Sequence, residues 1–304
     1  MLRFIARRLA FMVVVALAIA FFVFLGMRMA RNSTAGLPDY NLLRHSRAAI
    51  RQTRQYMEQA VHGDFGTVSR GQRTVEVREL LRETYPKSLG LLGAALVLAV
   101  VLGVLAGTLA ALRQRSPLAF VLLTLTVLGI STPTFFAALL LQIANVKSLQ
   151  TFSFRLAYTG GFGWDWRHIL LPALVLAARP LAYVTRVTFI TLTGVLQQDY
   201  IRTAWAKGLS LRQVLTRHAL RNTAVPVLTA AGISLRFSLG SLPVVEYFFD
   251  WPGLGVRLLE AIRLGQTELV VTLALALGLT FLGINLLLDI AYRLIDARLR
   301  ESPV

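Results

Sequence analysis

The sequence predicts an all-α, polytopic membrane protein with six transmembrane helices. Three observations carry this reading: long apolar runs recur along the chain, most of the charge lies between them, and turn residues cluster at their ends. Hydrophobic residues make up 56% of the 304, and the mean hydropathy is +0.62, which is the composition of a multi-span chain. The formal charge of +17 would suit a nucleic-acid binder if it formed one patch. Here the basic residues are scattered between apolar runs, so nucleic acid is not an expected partner. Cysteine is absent, which removes disulfides, thiolate chemistry and Cys-based metal sites.

A bilayer core is roughly 30 Å thick, and a helix needs about 20 apolar residues to cross it. Residues 9–27, 88–112, 116–146 and 269–288 meet that length with no charge inside. The first run is too long for a signal peptide and no small-residue cleavage site follows, so it is expected to be a retained anchor. Two more spans are interrupted by charge: 169–193 contains Arg179 and Arg186, and 225–245 contains Arg236.

Six spans put both termini on one side, and the basic start "MLRFIARR" favours the cytoplasm. Arg113, Arg115, the 199–221 segment, Arg293, Arg298 and Arg300 then lie inside, whereas the opposing short loops carry only Lys147, Arg155, Arg167, Arg257 and Arg263. The connection 31–87 runs against this pattern, with ten Lys or Arg and six acids, but its length approaches the limit beyond which the rule loses force. The domain organisation is accordingly 1–30 as tail and first span, 31–87 as an external helical connection, and 88–304 as the transmembrane core. Within 31–87, Leu42, Leu43, Ile50, Met57 and Val61 recur at helical spacing. Between the last two spans, the segment 246–268 is aromatic and punctuated by Pro252, Gly253 and Gly255, which predicts an interfacial or re-entrant turn at the external mouth.

No catalytic constellation emerges. There is no phosphate loop, no H-E-x-x-H and no G-x-S-x-G, and His45, His62, His168 and His218 are far apart. Proton pumps usually carry acids within their spans, and only Asp289 comes close, at a span end where it reads as an interfacial charge.

The polar segment "DYIRTAWAKGLSLRQVLTRHALRN" interrupts this apolar pattern between the fourth and fifth spans. Asp199 suits a helix cap, and Ile201, Ala204 and Trp205 fall on one face. Gly208 suits a left-handed helix terminus, and Ser210 with Gln213 forms a capping box that starts a second helix. That helix carries Leu211, Val214, Leu215 and His218 on one face, with Arg212, Arg217 and Arg221 pointing elsewhere. The pattern by itself fits either an interfacial element on anionic lipid or a rigid docking knob for a cytosolic protein; a DNA-reading pair of helices would be poorly placed beside a membrane.

The same residues resemble the cytoplasmic coupling signature of ABC importer permeases, in the dipeptide, oligopeptide and nickel branch. Against the broader pattern E-A-A, three residues, Gly, nine residues, I-x-L-P, Ala204 and Gly208 match. Arg202 and Thr203 replace E-A, His218 replaces Ile and Arg221 replaces Pro, as is typical of that branch. The resemblance extends over nearly the whole chain, through "MLRFIARRLAFMVVV", "HGDFGTVSRGQRTVEVRELLRETYPKSL", "VVEYFFDWPGLG" and "YRLIDARLR". In the third of these, Glu246, Pro252, Gly253 and Gly255 match the external-loop signature. Two external elements depart: "RLGQTE" stands where an Arg-Asp-aromatic-Pro is usual, and "RNSTAG" where Pro-Gly-Asp-Pro is usual.

The resemblance implies a type I ABC importer permease fold in the cytoplasmic membrane and a subunit with no ATPase site or cofactor of its own. ATP and Mg²⁺ would sit on two cytosolic ABC ATPases. A second homologous permease would complete the pore, and an extracytoplasmic substrate-binding protein would deliver peptides. The coupling residues it implies are Arg202, Thr203, Ala204, Trp205, Gly208, Leu211, Arg212, Val214, Leu215, Arg217 and His218, with Trp205, Leu211, Val214 and Leu215 as apolar anchors. A nickel-chelate importer or a stand-alone secondary transporter is the alternative. Arg179 and Arg236 fall near mid-membrane, where a lipid-facing charge costs roughly 2.5–3.5 kcal/mol. They are therefore expected to pair with the partner permease, to cap carbonyls, or to line a path for anionic cargo. Arg186 reads as a snorkelling interface charge.

Overall fold

A computed structural model describes residues 2–34, 42–70, 73–154, 157–158 and 161–295. Arg155, Arg298 and Arg300, which entered the charge-asymmetry argument, lie outside these residues. Eleven α-helices are described: α1 (Leu2–Thr34), α2 (Leu42–Val61), α3 (Val77–Leu112), α4 (Pro117–Ser131), α5 (Thr134–Phe152), α6 (Trp166–Leu196), α7 (Asp199–Ala206), α8 (Leu211–Gln213), α9 (Leu220–Phe248), α10 (Leu254–Arg263) and α11 (Thr267–Ile295). One hairpin, β1 (Thr67–Arg70) with β2 (Arg73–Glu76), pairs antiparallel with Thr67 opposite Glu76.

Among the described residues six helical stretches are long and apolar enough to span a bilayer: Phe4–Arg31, Val77–Leu112, Thr134–Phe152, Trp166–Leu196, Leu211–Phe248 and Thr267–Ile290. The number agrees with the sequence, but the third span does not. The run 116–146 is two helices, α4 and α5, broken at Thr132 (ψ 124°) and Pro133 (ψ 138°). The ring of Pro133 disfavours helical geometry at the preceding residue, so the apolar run cannot stay one helix. At 15 residues, α4 reaches only about 22 Å. Ser116 caps it, its hydroxyl accepting from the amide of Ala119, and Pro117 occupies the first turn where no N–H is needed.

The chain divides into two compact units. The first contains residues up to Ser88 and Pro252–Ile290; the second is built mainly from Leu89–Trp251. In the first unit, α2 buries His45, Ala49, Thr53 and Tyr56 on one face. Ala49 and Tyr56 share a cluster with Ala16, Ala20 and Phe24 of α1 and with Val271 and Leu275 of α11. The Tyr56 hydroxyl pairs with that of Thr272 at 2.7 Å. A second cluster joins Val68 of the hairpin to Val77, Leu80, Leu254, Ala261 and Leu269, and the amide of Leu254 donates to Ser88 Oγ at 2.7 Å.

In the second unit, α6 and α9 are the central pair, with Val184 packed among Val227, Ala230 and Ala231. Asp165 starts α6, its carboxylate accepting from the amides of Arg167 and His168. Two glycines bring α3 against α6: a Cβ on Gly103 would lie 2.9 Å from the Val184 Cβ, and one on Gly107 would lie 2.6 Å from the Thr185 carbonyl oxygen. This small-xxx-small stripe is how helices approach closely where lipid offers no hydrophobic drive. Pro180 lacks an N–H and leaves the Leu176 carbonyl without its intrahelical donor. Ser238 of α9 donates to that carbonyl at 3.1 Å. The same helix is tied to α5 by Thr134 Oγ1 donating to Ser241 Oγ at 3.2 Å and by Gln142 donating to the Phe248 carbonyl.

Candidate functional site

The segment after α6 is a helix, a turn and a helix start, but its boundaries differ from the sequence reading. Gln198 takes the cap position, with extended backbone, and Asp199 is the first helical residue. Asp199 makes no cap hydrogen bond; its carboxylate accepts from Arg202 Nη1 at 3.4 Å. The helix ends in a Schellman arrangement: the Gly208 amide donates to the Trp205 carbonyl at 2.9 Å and the Leu209 amide to the Ala204 carbonyl at 3.3 Å. Gly208 has φ +76°, and a Cβ there would meet open space, so only the left-handed backbone selects glycine.

Ser210 then caps the next helix. Its hydroxyl accepts from the Gln213 amide, and Gln213 Oε1 accepts from the Ser210 amide at 3.0 Å. The helix that begins there is not a separate short element, as the sequence suggested. α8 passes through a π-helical turn, Val214–Ala219, directly into α9, giving one continuous span over Leu211–Phe248. The second half of the polar segment, from Leu211, is therefore the tip of the fifth span, and α7 packs beside it.

Packing fixes this tip to its own unit. Ile201, Ala204, Val214 and Ala219 are buried with Leu192 of α6 and Ala111 of α3, and Leu209 and Leu215 pack at the margin. The amide nitrogen of Asn222 also donates to the Tyr200 hydroxyl at 2.8 Å, bridging α7 to α9. Neither Ile201 as an anchor nor the Tyr200–Asn222 bridge was singled out from sequence; the former was signalled by the helical spacing of Ile201 and Ala204.

Burial sorts the expected coupling residues into two sets. Arg202, Thr203, Trp205, Gly208, Leu211, Arg212 and Arg217 are exposed, and Leu215 and His218 are half-buried. Ala204 and Val214 are buried within the chain, so Val214, expected as a docking anchor, packs inward instead. Trp205 is 44% exposed although it falls beside the buried Ile201 by helical spacing, so it stands at the edge of the packed face instead of within it. The exposed face thus carries two large apolar groups, Trp205 and Leu211, among three arginines.

Arg179 and Arg236 stand on α6 and α9. Counting about 1.5 Å per residue, Arg179 lies about 20 Å from Trp166 and Arg236 about 18 Å from Phe248. The Ser238–Leu176 bond registers the two helices, and both arginines lie on its same side, within about 2 Å of one level. Arg236 is exposed and Arg179 half-buried. Among the described residues the Arg179 Nε is buried without a hydrogen-bond partner. Carbonyl capping within this chain therefore does not account for that nitrogen. Arg186 is exposed on α6, seven residues further along.

The external-loop residues also separate. Glu246 lies in the last turns of α9, fully buried, and its carbonyl accepts from the Trp251 amide at 2.9 Å. Trp251 is 1% exposed and meets the rings of Phe162 and Trp164 edge-on. In the other unit, Gly253 precedes α10 and Gly255 is buried in its first turn, with Pro252 half-buried beside them. The expected interfacial turn is a ten-residue helix, α10.

Comparison with known proteins agrees with this architecture. Residues 99–301 match the family model described as "Binding-protein-dependent transport system inner membrane component". The glutathione transport system permease protein GsiC of Escherichia coli (strain K12) is 36% identical over 247 residues, covering 81% of this chain and 78% of that protein. GsiC of Shigella dysenteriae serotype 1 (strain Sd197) shows the same identity and coverage. With six membrane-length helices and a family match over two thirds of its length, the chain belongs to the binding-protein-dependent transport system inner membrane components, the permease subunits of ABC importers.

Proposed function

We propose that this permease subunit moves di- or oligopeptides across the cytoplasmic membrane and is driven through residues 199–221. The relatives' naming for glutathione, itself a short peptide, supports the cargo class. The observation that carries the drive is the unbroken helix from Leu211 to Phe248. A displacement applied at Trp205, Leu211 and Arg212 would pass through the buried contacts of Ile201 and Val214 to α6 and α9 without a compliant loop.

In this reading both termini are cytoplasmic, a second homologous permease completes the pore, and two cytosolic ATPases carry the ATP and Mg²⁺. An external binding protein delivers cargo from the other side of the membrane. ATPase closure pulls the two docked tips together and turns the pore outward; hydrolysis resets it. Arg179 and Arg236, level with each other and distant from both span ends, form a cationic station for peptide carboxylates. The division into tail and first span, external connection 31–87 and core 88–304 follows the same topology.

The test is reconstitution with the partner subunits and measurement of ATPase stimulation by binding protein loaded with dipeptide, oligopeptide, glutathione or nickel chelate. Stimulation by a peptide is expected. Stimulation by the chelate alone, or by none of these, rejects the cargo assignment.

A further inference from the structure

A cluster of arginines lies outside the coupling tip and the mid-membrane pair. A concavity of about 680 Å³ is lined by Arg28 of α1 and by Arg44, Arg47 and Arg51 of α2, with no acid among its lining residues. Arg28, Arg47 and Arg51 are exposed and make no ion pair or hydrogen bond among the described residues, whereas their neighbour Arg54 is paired with Glu58 at 2.8 Å. The same two helices form a second, largely apolar concavity of about 630 Å³ lined by Leu17, Phe21, Ile50 and Met57, with the Arg54–Glu58 pair also on its α2 side.

Depth connects the two. Arg8 pairs with Asp289 at 2.5 Å near one end of the Phe4–Arg31 span, and Arg28 lies twenty residues further on. At about 1.5 Å per residue that is about 30 Å, the thickness of the hydrocarbon core, so Arg28 stands at headgroup level of the leaflet on the α2 side. Phe21 and Leu17, seven and eleven residues before Arg28, share its face of α1 two and three turns deeper. On α2, Ile50 follows Arg47 by three residues, again on a common face. By this count Arg28 falls at phosphate depth and the α1 side of the apolar groove, Phe21 and Leu17, at acyl-chain depth, while Arg54 and Glu58 keep a charged pair on the α2 side.

We propose that α1 and α2 hold an anionic phospholipid, its phosphate among Arg28, Arg47 and Arg51 and an acyl chain in the groove beside Phe21 and Ile50. Two arginines near a membrane surface each favour an anionic headgroup enough that together they change retention by about tenfold or more. The site also gives α2, an amphipathic helix outside the six spans, a fixed seat at the interface.

Native mass spectrometry of the full chain in mild detergent tests this, with phosphatidylglycerol and phosphatidylethanolamine of matched chains titrated separately. The wild type is expected to retain phosphatidylglycerol about tenfold better, Arg47→Gln with Arg51→Gln to bring the two lipids close to parity, and Ile50→Trp, which fills the groove, to weaken retention of both. Unchanged melting midpoints establish that these exposed substitutions leave the fold intact. Equal retention of both lipids by the wild type, or an undiminished preference in the double variant, overturns the proposal. So does displacement of the lipid by millimolar inorganic phosphate, which would mark a site for free anions, or a double variant that loses only binding to an acidic partner protein.

Discussion

Ser238 on α9 donates its hydroxyl to the carbonyl of Leu176 on α6, the acceptor that Pro180 leaves without a backbone donor. A backbone hydrogen bond missing inside one span is thereby replaced by its neighbour, which fixes the register of the two central helices. It also sets Arg179 and Arg236 at a common depth. Ser238→Ala is expected to cost about 1 kcal/mol, because a buried carbonyl is left unpaired. In a Pro180→Ala background the restored N–H can reach Leu176, so the same change should cost much less. Melting midpoints of the four proteins in detergent measure the coupling; equal losses in both backgrounds contradict it.

Gly107 tests the close approach of α3 and α6. An added methyl would meet the Thr185 carbonyl oxygen and the Thr188 Cβ, both at 2.6 Å. Gly107→Ala should destabilise by about 1–3 kcal/mol through overpacking. On the same helix, Gly93 has nothing within 4 Å of an added Cβ, so Gly93→Ala should be neutral or slightly stabilising through helix propensity. Thermal melts of the two variants in one detergent compare them directly.

Gly208 isolates backbone geometry from packing, since its φ is +76° and the surrounding space is open. Gly208→Val is expected to strain the turn by about 1–2 kcal/mol, leaving the spans inserted but lowering cargo-stimulated ATPase activity in the assembled complex. Gly208→Asn, which tolerates the left-handed region better, should retain more. Equal coupling in both variants would remove the turn from the account.

The arginine station predicts selectivity. Arg236→Met or Arg179→Met should reduce uptake of acidic peptides more than neutral ones, measured as competing fluxes into proteoliposomes. Uniform loss across cargoes, or loss of the assembled permease pair, assigns these residues to subunit contact instead.

The number of spans was legible because apolar length survives any detail of packing. Span limits were less so. The break at Thr132 and Pro133 was written in the sequence as a proline, yet uninterrupted apolarity from 116 to 146 masked it. Conversely, the charges of Arg212, Arg217 and Arg221 hid the continuity of α8 with α9, because a helix that leaves the membrane no longer needs apolar residues all round. The Ser210–Gln213 capping box and the turn at Gly208 were local and readable. The inward position of Val214 was not, since hydrophobic spacing identifies a face but not what covers it. Nor was the common level of Arg179 and Arg236, which depends on the register of the two helices that carry them, not on local sequence.

The central claim is that the exposed face of the α7–α8 tip docks an ATPase. The chain has no cysteine, so Leu211→Cys introduces a unique thiol into it on that face. A short bifunctional crosslinker applied to the assembled transporter is expected to join this position to the ATPase subunit. Under the same conditions Phe22→Cys, on the exposed surface of α1, should not react with it. An assembled complex with no ATPase adduct at Leu211→Cys, across nucleotide-free, ATP-bound and ADP-bound states, would contradict the account.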